Sequence, residues 1–330
     1  MSSADSPRVL HFNDCANVGQ SLVRAARQQG WDWDYLPPAL VRPQVNPGSG
    51  LSRLAWTPYF FRRWSHLRRT DVVHVHYATS VPLIHQSPLP QRPYFLHLHG
   101  SDIRRRWKEA PYHDQVQRAI DEAQAVFYTN LDTIEEATTA RGDAEYMPAF
   151  VQTEFLPKWQ LGHNAPKIIF TSRWDDDKGI AEQLQFVSEL RRAFPQIPLE
   201  GLDWGYGAAA AKSLGVKLQP KMKHADYLQW LAGGTLAIGQ ANRILAVSEF
   251  EAMAIGLPLA ALGSRIPRPD DGSTPPVIEG DMETVMAGIA QALQDPPAMA
   301  AALGGKDWVY SHHQASPYAV RLEKLYRDAI

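Results

Sequence analysis

Eight short apolar runs, at 8–12, 71–77, 94–99, 125–129, 167–172, 198–204, 234–239 and 257–262, alternate along this chain with amphipathic stretches. The runs are rich in β-branched and aromatic residues and too short for buried helices, so they read as strands buried on both faces of parallel sheets. The stretches at 18–29, 115–123, 133–140 and 180–194 space their apolar residues as helices do. Such alternation defines an α/β architecture. With 330 residues the chain exceeds what one core comfortably fills, so two domains are expected. The polar stretch 157–166, with Pro and Gly, is the expected joint, because a fresh strand begins at 167. A second irregular segment, 37–50, is expected as a surface excursion. No repeat of the solenoid or propeller kind is present. Two doubly wound, Rossmann-like domains facing a central cleft would bind ligands at the carboxyl ends of their strands.

Charge narrows the partners. The formal net charge is −2 and the pI is near 6.6, which gives no reason to expect nucleic acid. Between 51 and 110, however, ten Lys or Arg stand against three acids, so one face of the N-terminal half is expected to be basic. Segments 51–69 and 104–108 interleave aromatics with Arg. They suit peripheral contact with an anionic membrane surface or a phosphate-bearing acceptor, or else a core-packed helix with a solvated Arg face. The lone cysteine, Cys15, excludes an intrachain disulfide and a Cys-based zinc site and fits a reducing compartment. Residues 1–7 lack a signal-peptide pattern, and no stretch has the roughly 18 apolar residues of a membrane span. The expected location is cytoplasmic, with the inner membrane surface open as a peripheral site.

In the C-terminal half, the run at 167–172 leads into Arg173-Trp-Asp-Asp-Asp-Lys178 and then a helix. Two cations beside a helix N-terminus form an anion site suited to a diphosphate, or they decorate a solvated loop. The carboxylates of Asp175, Asp176 and Asp177 raise the alternative of a Mg²⁺ or Mn²⁺ site, with which Lys178 would compete. Further on, Ser248-Glu-Phe-Glu-Ala-Met-Ala-Ile-Gly-Leu-Pro258 reads as a short helix ended by Gly256 and Pro258. Ser248 with Glu251 fits a capping box; alternatively the Glu251 carboxylate accepts hydrogen bonds from both hydroxyls of a ribose.

In the N-terminal half, the loop 13–19 leads into a helix, where Gly19 would let backbone approach a phosphate. Nothing marks Cys15 as activated, and it reads as packing. His74 and His76 share one strand face, as do His97 and His99. Metal binding, packing, and a ligand contact by His99 all remain open there, and Asp102 either orients His99 or caps the next helix.

These residues carry a resemblance. The stretches Ser172-Arg-Trp-Asp-Asp-Asp-Lys-Gly179, Gly201-Leu-Asp-Trp-Gly-Tyr-Gly207 and Glu251-Ala-Met-Ala-Ile-Gly-Leu-Pro258, together with 71–76 and His97-Leu-His-Gly-Ser-Asp102, resemble the retaining GT-B glycosyltransferases of the family 4 type (glycosyl transferases group 1). The resemblance spans almost the whole chain. It implies that Arg173 and Lys178 hold a donor diphosphate, that Glu251 holds the ribose, that His99 lies at the donor sugar, and that Gly19 matches a glycine-rich loop. It also implies transfer with retention, without metal or other cofactor. The implied division is an acceptor domain at 1–160, a donor domain at 161–312, and a C-terminal helix at 313–330 that packs back on the first domain.

One position departs. The family usually carries a second glutamate eight residues before the ribose-binding one, contacting the donor sugar. Here that position is Arg243, which cannot accept a hydrogen bond from a hydroxyl. Either the donor is unusual, or the register shifts, or transfer has been lost. A guanidinium facing the sugar would suit a carboxylate, hence a uronic acid donor. The expectation is a retaining, metal-independent hexosyltransferase moving a sugar from a nucleotide diphosphate sugar to a glycan, lipid-linked or phosphate-bearing acceptor. A non-catalytic nucleotide-sugar or glycan-binding protein and an epimerase-like enzyme are the alternatives.

Overall fold

A computed structural model of the chain describes residues 6–45, 50–162 and 165–330. The first five residues of the N-terminal stretch, positions 46–49 of the irregular segment and positions 163–164 of the expected joint lie outside the described residues. The chain forms two compact units, Met1–Phe150 with Ala315–Ile330, and Val151–Gln314.

The first unit is built on a six-stranded sheet of β1 (Val9–Phe12), β2 (Trp33–Leu36), β3 (Val72–His76), β4 (Tyr94–Leu98), β5 (Val126–Tyr128) and β6 (Glu145–Tyr146). The spatial order is β2-β1-β3-β4-β5-β6. Every pairing is parallel. Alternation along the strands divides the core. Leu10, Phe12, Val73, Val75, Leu96 and Leu98 pack with Leu67, Val116 and Ile120 on one face. Val9, Val72, Phe95 and Phe127 pack on the other, with Leu22, Leu322 and Tyr326. The last two belong to the helix Ala315–Asp328, which therefore completes this unit although it follows the other in sequence.

The second unit repeats the scheme with β7 (Ile168–Phe170), β8 (Leu199–Leu202), β9 (Lys217–Gln219), β10 (Leu236–Ile238), β11 (Leu259–Leu262) and β12 (Ile278–Gly280). The order is β12-β11-β10-β7-β8-β9, again with parallel pairs. The winding reverses between β7 and β10, and in the first unit between β1 and β3. Two doubly wound, Rossmann-like domains result. The stretch read as the joint packs on the second unit: Trp159 donates from Nε1 to the Gly234 carbonyl at 2.8 Å, and the Gln160 amide to Ala232 at 2.9 Å.

All eight strands expected from apolar runs are present. The four others, β2, β6, β9 and β12, are the sheet edges. They are short and partly exposed, so they lack a continuous apolar signal. Among the described residues no helix is long and apolar enough to cross a membrane.

Trp174, fully buried, plugs the loop after β7, and the chain at 201–207 wraps it closely. Gly205 sits at φ +102°, and a Cβ there would land in the Trp174 backbone. Gly205→Ala is expected to destabilise the second unit by about 2 kcal/mol or more, read as a lowered urea midpoint; an unchanged midpoint would refute this packing role.

Candidate functional site

At the carboxyl end of β7 the buried Trp174 donates from Nε1 to Leu202 O at 2.9 Å, and its own carbonyl accepts from the Gly207 amide at 3.0 Å. These bonds fix the loop that presents Arg173 and Lys178. Arg173 ion-pairs with Asp175 and Asp177, both at 2.6 Å, and the Lys178 ammonium lies 3.8 Å from Asp177. Asp176 accepts from the Tyr206 hydroxyl. The three carboxylates thus face a guanidinium and a phenol, and a metal would have to displace Arg173. Gly179, at φ +72°, turns the chain into the helix Ile180–Ala193.

The loop after β10 laces onto this one. Ala241 donates to the Lys178 carbonyl at 3.1 Å, and the Asn242 side chain to the Asp177 carbonyl. Both loops stand at the reversal of winding, where doubly wound sheets bind ligands. Arg243 follows, exposed, with Nε 3.4 Å from the Ser264 carbonyl. No carboxylate pairs with it among the described residues. The neighbouring Arg265, by contrast, is buried and donates to the Asn242 carbonyl at 2.6 Å. Trp204 and Tyr206 form an exposed aromatic rim, with the Arg173 guanidinium 5.8 Å from the Trp204 ring centre.

The helix Val247–Ile255 corrects one expectation. Its N-cap is Ala246, and the fully buried Glu249 caps it, accepting from the amides of Ala246 at 2.9 Å and Gln240 at 3.0 Å. The cap lies two residues from the Ser248/Glu251 pairing read from sequence, because the turn begins earlier. Glu251 does not cap. It is buried, and its Oε1 meets His224 Nε2 at 2.7 Å. That hydrogen bond, more than the charge of Glu251, raises the His224 pKa above the ordinary histidine value. Nothing in sequence signalled His224, which comes from the first turn of the helix His224–Ala232.

In the first unit the loop after β1 is held by Asn13 and Asp14. Asn13 donates to the His76 carbonyl at 3.1 Å and to Ser80 at 2.7 Å. Asp14 accepts from the amides of Ala16 at 3.1 Å and Gln20 at 3.0 Å, at the start of the helix Val18–Gln28. A Cβ on Gly19 would collide with the rings of His76 and His11, so this glycine makes room for imidazoles. Cys15 is an exposed residue, but desolvation and the charges of Asp102 and Asp14 push its thiol up to about 12, opposite to activation.

Five imidazoles line one face of the sheet. His11 Nδ1 lies 3.0 Å from His76 Nε2, and His76 Nδ1 lies 2.9 Å from His99 Nε2. His74 Nδ1 meets the Tyr326 hydroxyl at 2.5 Å, and His97 Nε2 meets Thr129 at 2.7 Å. Burial drives all five towards the neutral form: His11 and His99 fall to about 3, and His74, His76 and His97 lie well below the ordinary value. Asp102 is buried, accepts from the amides of Ala78, His99 and Ile103, and is pushed up to about 6 by desolvation. It therefore positions the backbone at His99, not the ring. Ligating atoms of His74, His76 and His97, and of Asp14, His76 and His99, lie within 4.8 Å of one another. The rings of the first trio are inclined by only 17–38°, which aims their lone pairs side by side and not at a common point.

The basic and aromatic segments divide. In the helix Thr57–Leu67, Arg63 is buried and donates to Val41 O at 2.9 Å, while Phe61 and, in the 3-10 turns just before the helix, Leu54 are exposed. Arg104 and Lys108 pair with Asp132 and Glu136, and Arg105 and Arg106 pair with Glu109. The cations at 104–108 are thus largely neutralised locally.

At the level of sequence, no family model matches the chain and no curated relative matches it. Its fold has solved counterparts. Sucrose-phosphate synthase from Thermosynechococcus elongatus superposes with a TM-score of 0.68 at 14% identity, covering 97% of this chain and 98% of that one. HepE from Anabaena, solved with UDP and glucose, gives 0.66 at 13% identity over 96% and 98%. A glycosyltransferase from Rickettsia africae ESF-5 gives 0.64 at 10% identity over 98% and 99%. The fold is that of the GT-B glycosyltransferases.

The buried imidazoles also carry a stability consequence. Their folded-state pKa values lie below the unfolded value of about 6.5, so below that pH the unfolded chain binds more protons. Stability is expected to fall as the pH drops from about 7 towards 5. In His74→Phe the slope of the urea midpoint against pH should flatten by about one proton; an equal slope would show that His74 is not held neutral.

Proposed function

We propose that the protein is a retaining, metal-independent glycosyltransferase that moves a sugar from a nucleotide diphosphate sugar to an acceptor. The observation that carries this reading is the pair Arg173 and Lys178, presented at the carboxyl end of β7 where the winding of the second sheet reverses. A diphosphate would exchange with Asp175 and Asp177 for the guanidinium, while Lys178 and the helix start at Ile180 add positive potential to a leaving group. Glu251, already hydrogen-bonded to His224, offers a carboxylate oxygen to ribose hydroxyls, and the aromatic rim of Trp204 offers a face to a base. The sugar contact that the resemblance implies for His99 is the assignment most in need of test, because its Nε2 is engaged by His76 and its Nδ1 is buried. Gly19 serves here through the space it leaves to His76. The GT-B fold, shared with a protein solved with UDP and glucose, makes UDP-sugars the first donors to test. The acceptor is a glycan, a lipid-linked group or a phosphate-bearing molecule. If the protein works at a membrane, the exposed Leu54 and Phe61 are its contact points. We place it in the cytoplasm.

Replacing Arg173 or Lys178 by alanine is expected to slow transfer on the order of 100-fold, with loss of the thermal shift given by UDP. Wild-type transfer in either variant would overturn the leaving-group role.

Arg243 supports a second reading, a protein that binds nucleotide sugar without transferring it, because its guanidinium, which has no carboxylate partner among the described residues, occupies the same group of loops. Binding without transfer or hydrolysis across a broad donor panel would select that reading. If transfer occurs, the guanidinium favours a donor with a carboxylate on the sugar. UDP-glucuronate is then expected to bind about tenfold more tightly than UDP-glucose, with the difference erased in Arg243→Gln. No preference in the wild type would sink the acidic-donor idea.

A further inference from the structure

The imidazole chain of the first unit has a direction, and we propose that His76, backed by Asp14, sets it by holding His99 in the tautomer protonated at Nδ1. His76 is in this sense a positioning residue, and the His99 N–H lies on a buried Nδ1 where the winding of the first sheet reverses.

A neutral imidazole has one N–H and one lone pair. His76 is engaged on both sides, by His11 at 3.0 Å and His99 at 2.9 Å, so only two arrangements exist. In the first, His11 donates from Nδ1 to His76, His76 donates from Nδ1 to His99 Nε2, and the His99 proton sits on Nδ1. In the second, every donor and acceptor is reversed, and His11 carries its proton on Nε2. His74 and His97 do not interrupt the chain, because each spends one nitrogen on a hydroxyl, of Tyr326 and Thr129.

The position of Asp14 chooses the first arrangement. Asp14 Oδ1 lies 3.8 Å from His76 Nδ1, and both side chains have no exposed surface. Burial raises the Asp14 pKa above the ordinary carboxylate value, and the amides of Ala16 and Gln20 at a helix start pull it back towards the charged form. An N–H on His76 Nδ1 is attracted by that carboxylate, and a lone pair there is repelled. At the ends of the chain His11 Nε2 and His99 Nδ1 are both buried without a partner, so either arrangement leaves one buried N–H unsatisfied and the ends do not discriminate between them. Gly19 contributes by leaving room for the His76 ring against the helix start.

Long-range ¹H–¹⁵N spectra of the full chain with ¹⁵N-labelled histidine decide the matter near pH 7, with signals assigned through His99→Gln and His76→Asn. His76 and His99 are both expected to be neutral with the proton on Nδ1. A proton on Nε2 of His99 would overturn the proposal, as would histidine signals that change on adding EDTA. His76→Asn keeps an N–H donor near the Nδ1 position and should preserve the His99 tautomer, whereas His76→Leu and Asp14→Asn should each give a mixture. An unmixed Nδ1 tautomer in His76→Leu would overturn the positioning role. If that variant does not fold, the wild-type spectrum and Asp14→Asn decide.

Discussion

Parallel backbone pairing is the constraint on which the rest of this molecule depends. In a parallel sheet every strand ends at the same edge, so the loops that follow β7 and β10, or β1, β3 and β4, converge whatever their distance in sequence. The reversal of winding then opens a gap between the loops of two adjacent strands. Arg173, Lys178 and Arg243 share one such edge in the second unit, and Asp14, His76 and His99 share the other in the first. Buried apolar strands supply the stability that lets these polar loops be held in place.

The two edges manage charge differently. In the second unit the cations are exposed or half-exposed and mostly satisfied by acids of their own loop, with Arg173 bound to two aspartates. Such pairs near water are worth little, so an anion can exchange into them at small cost. Among the described residues Arg243 has no acid to release. In the first unit charge is suppressed: five imidazoles are desolvated into the neutral form, and their hydrogen bonds, not their charges, hold the site.

Much of the fold was legible because a strand buried on both faces must be apolar throughout. The eight internal or near-internal runs carried that signal, whereas β6 and β9, with no fully buried residue, could not. The helix at 247–255 was legible through Gly256 and the following strand, but not which glutamate caps it. Glu249 and Glu251 differ by two positions, less than the uncertainty of a helix start, and only the backbone conformation at Ala246 separates them. His224 had no local pattern at all, since its partner lies 27 residues away.

Sequence by itself determined the α/β class, the duplication of the scheme, the pairing of histidines on alternate strand positions, and the residue types at the strand ends. Those follow from local periodicity and from the short-range chemistry of loops, which a linear chain displays directly. Tertiary structure alone decided that His11 joins the other imidazoles through the register of β1 with β3, and that Tyr326 closes over them. It also decided that Asp175 and Asp177 meet Arg173 and that Glu251 meets His224. Such contacts depend on which strands become neighbours and on where helices pack, and these are settled by burial summed over the whole chain, not by any one segment.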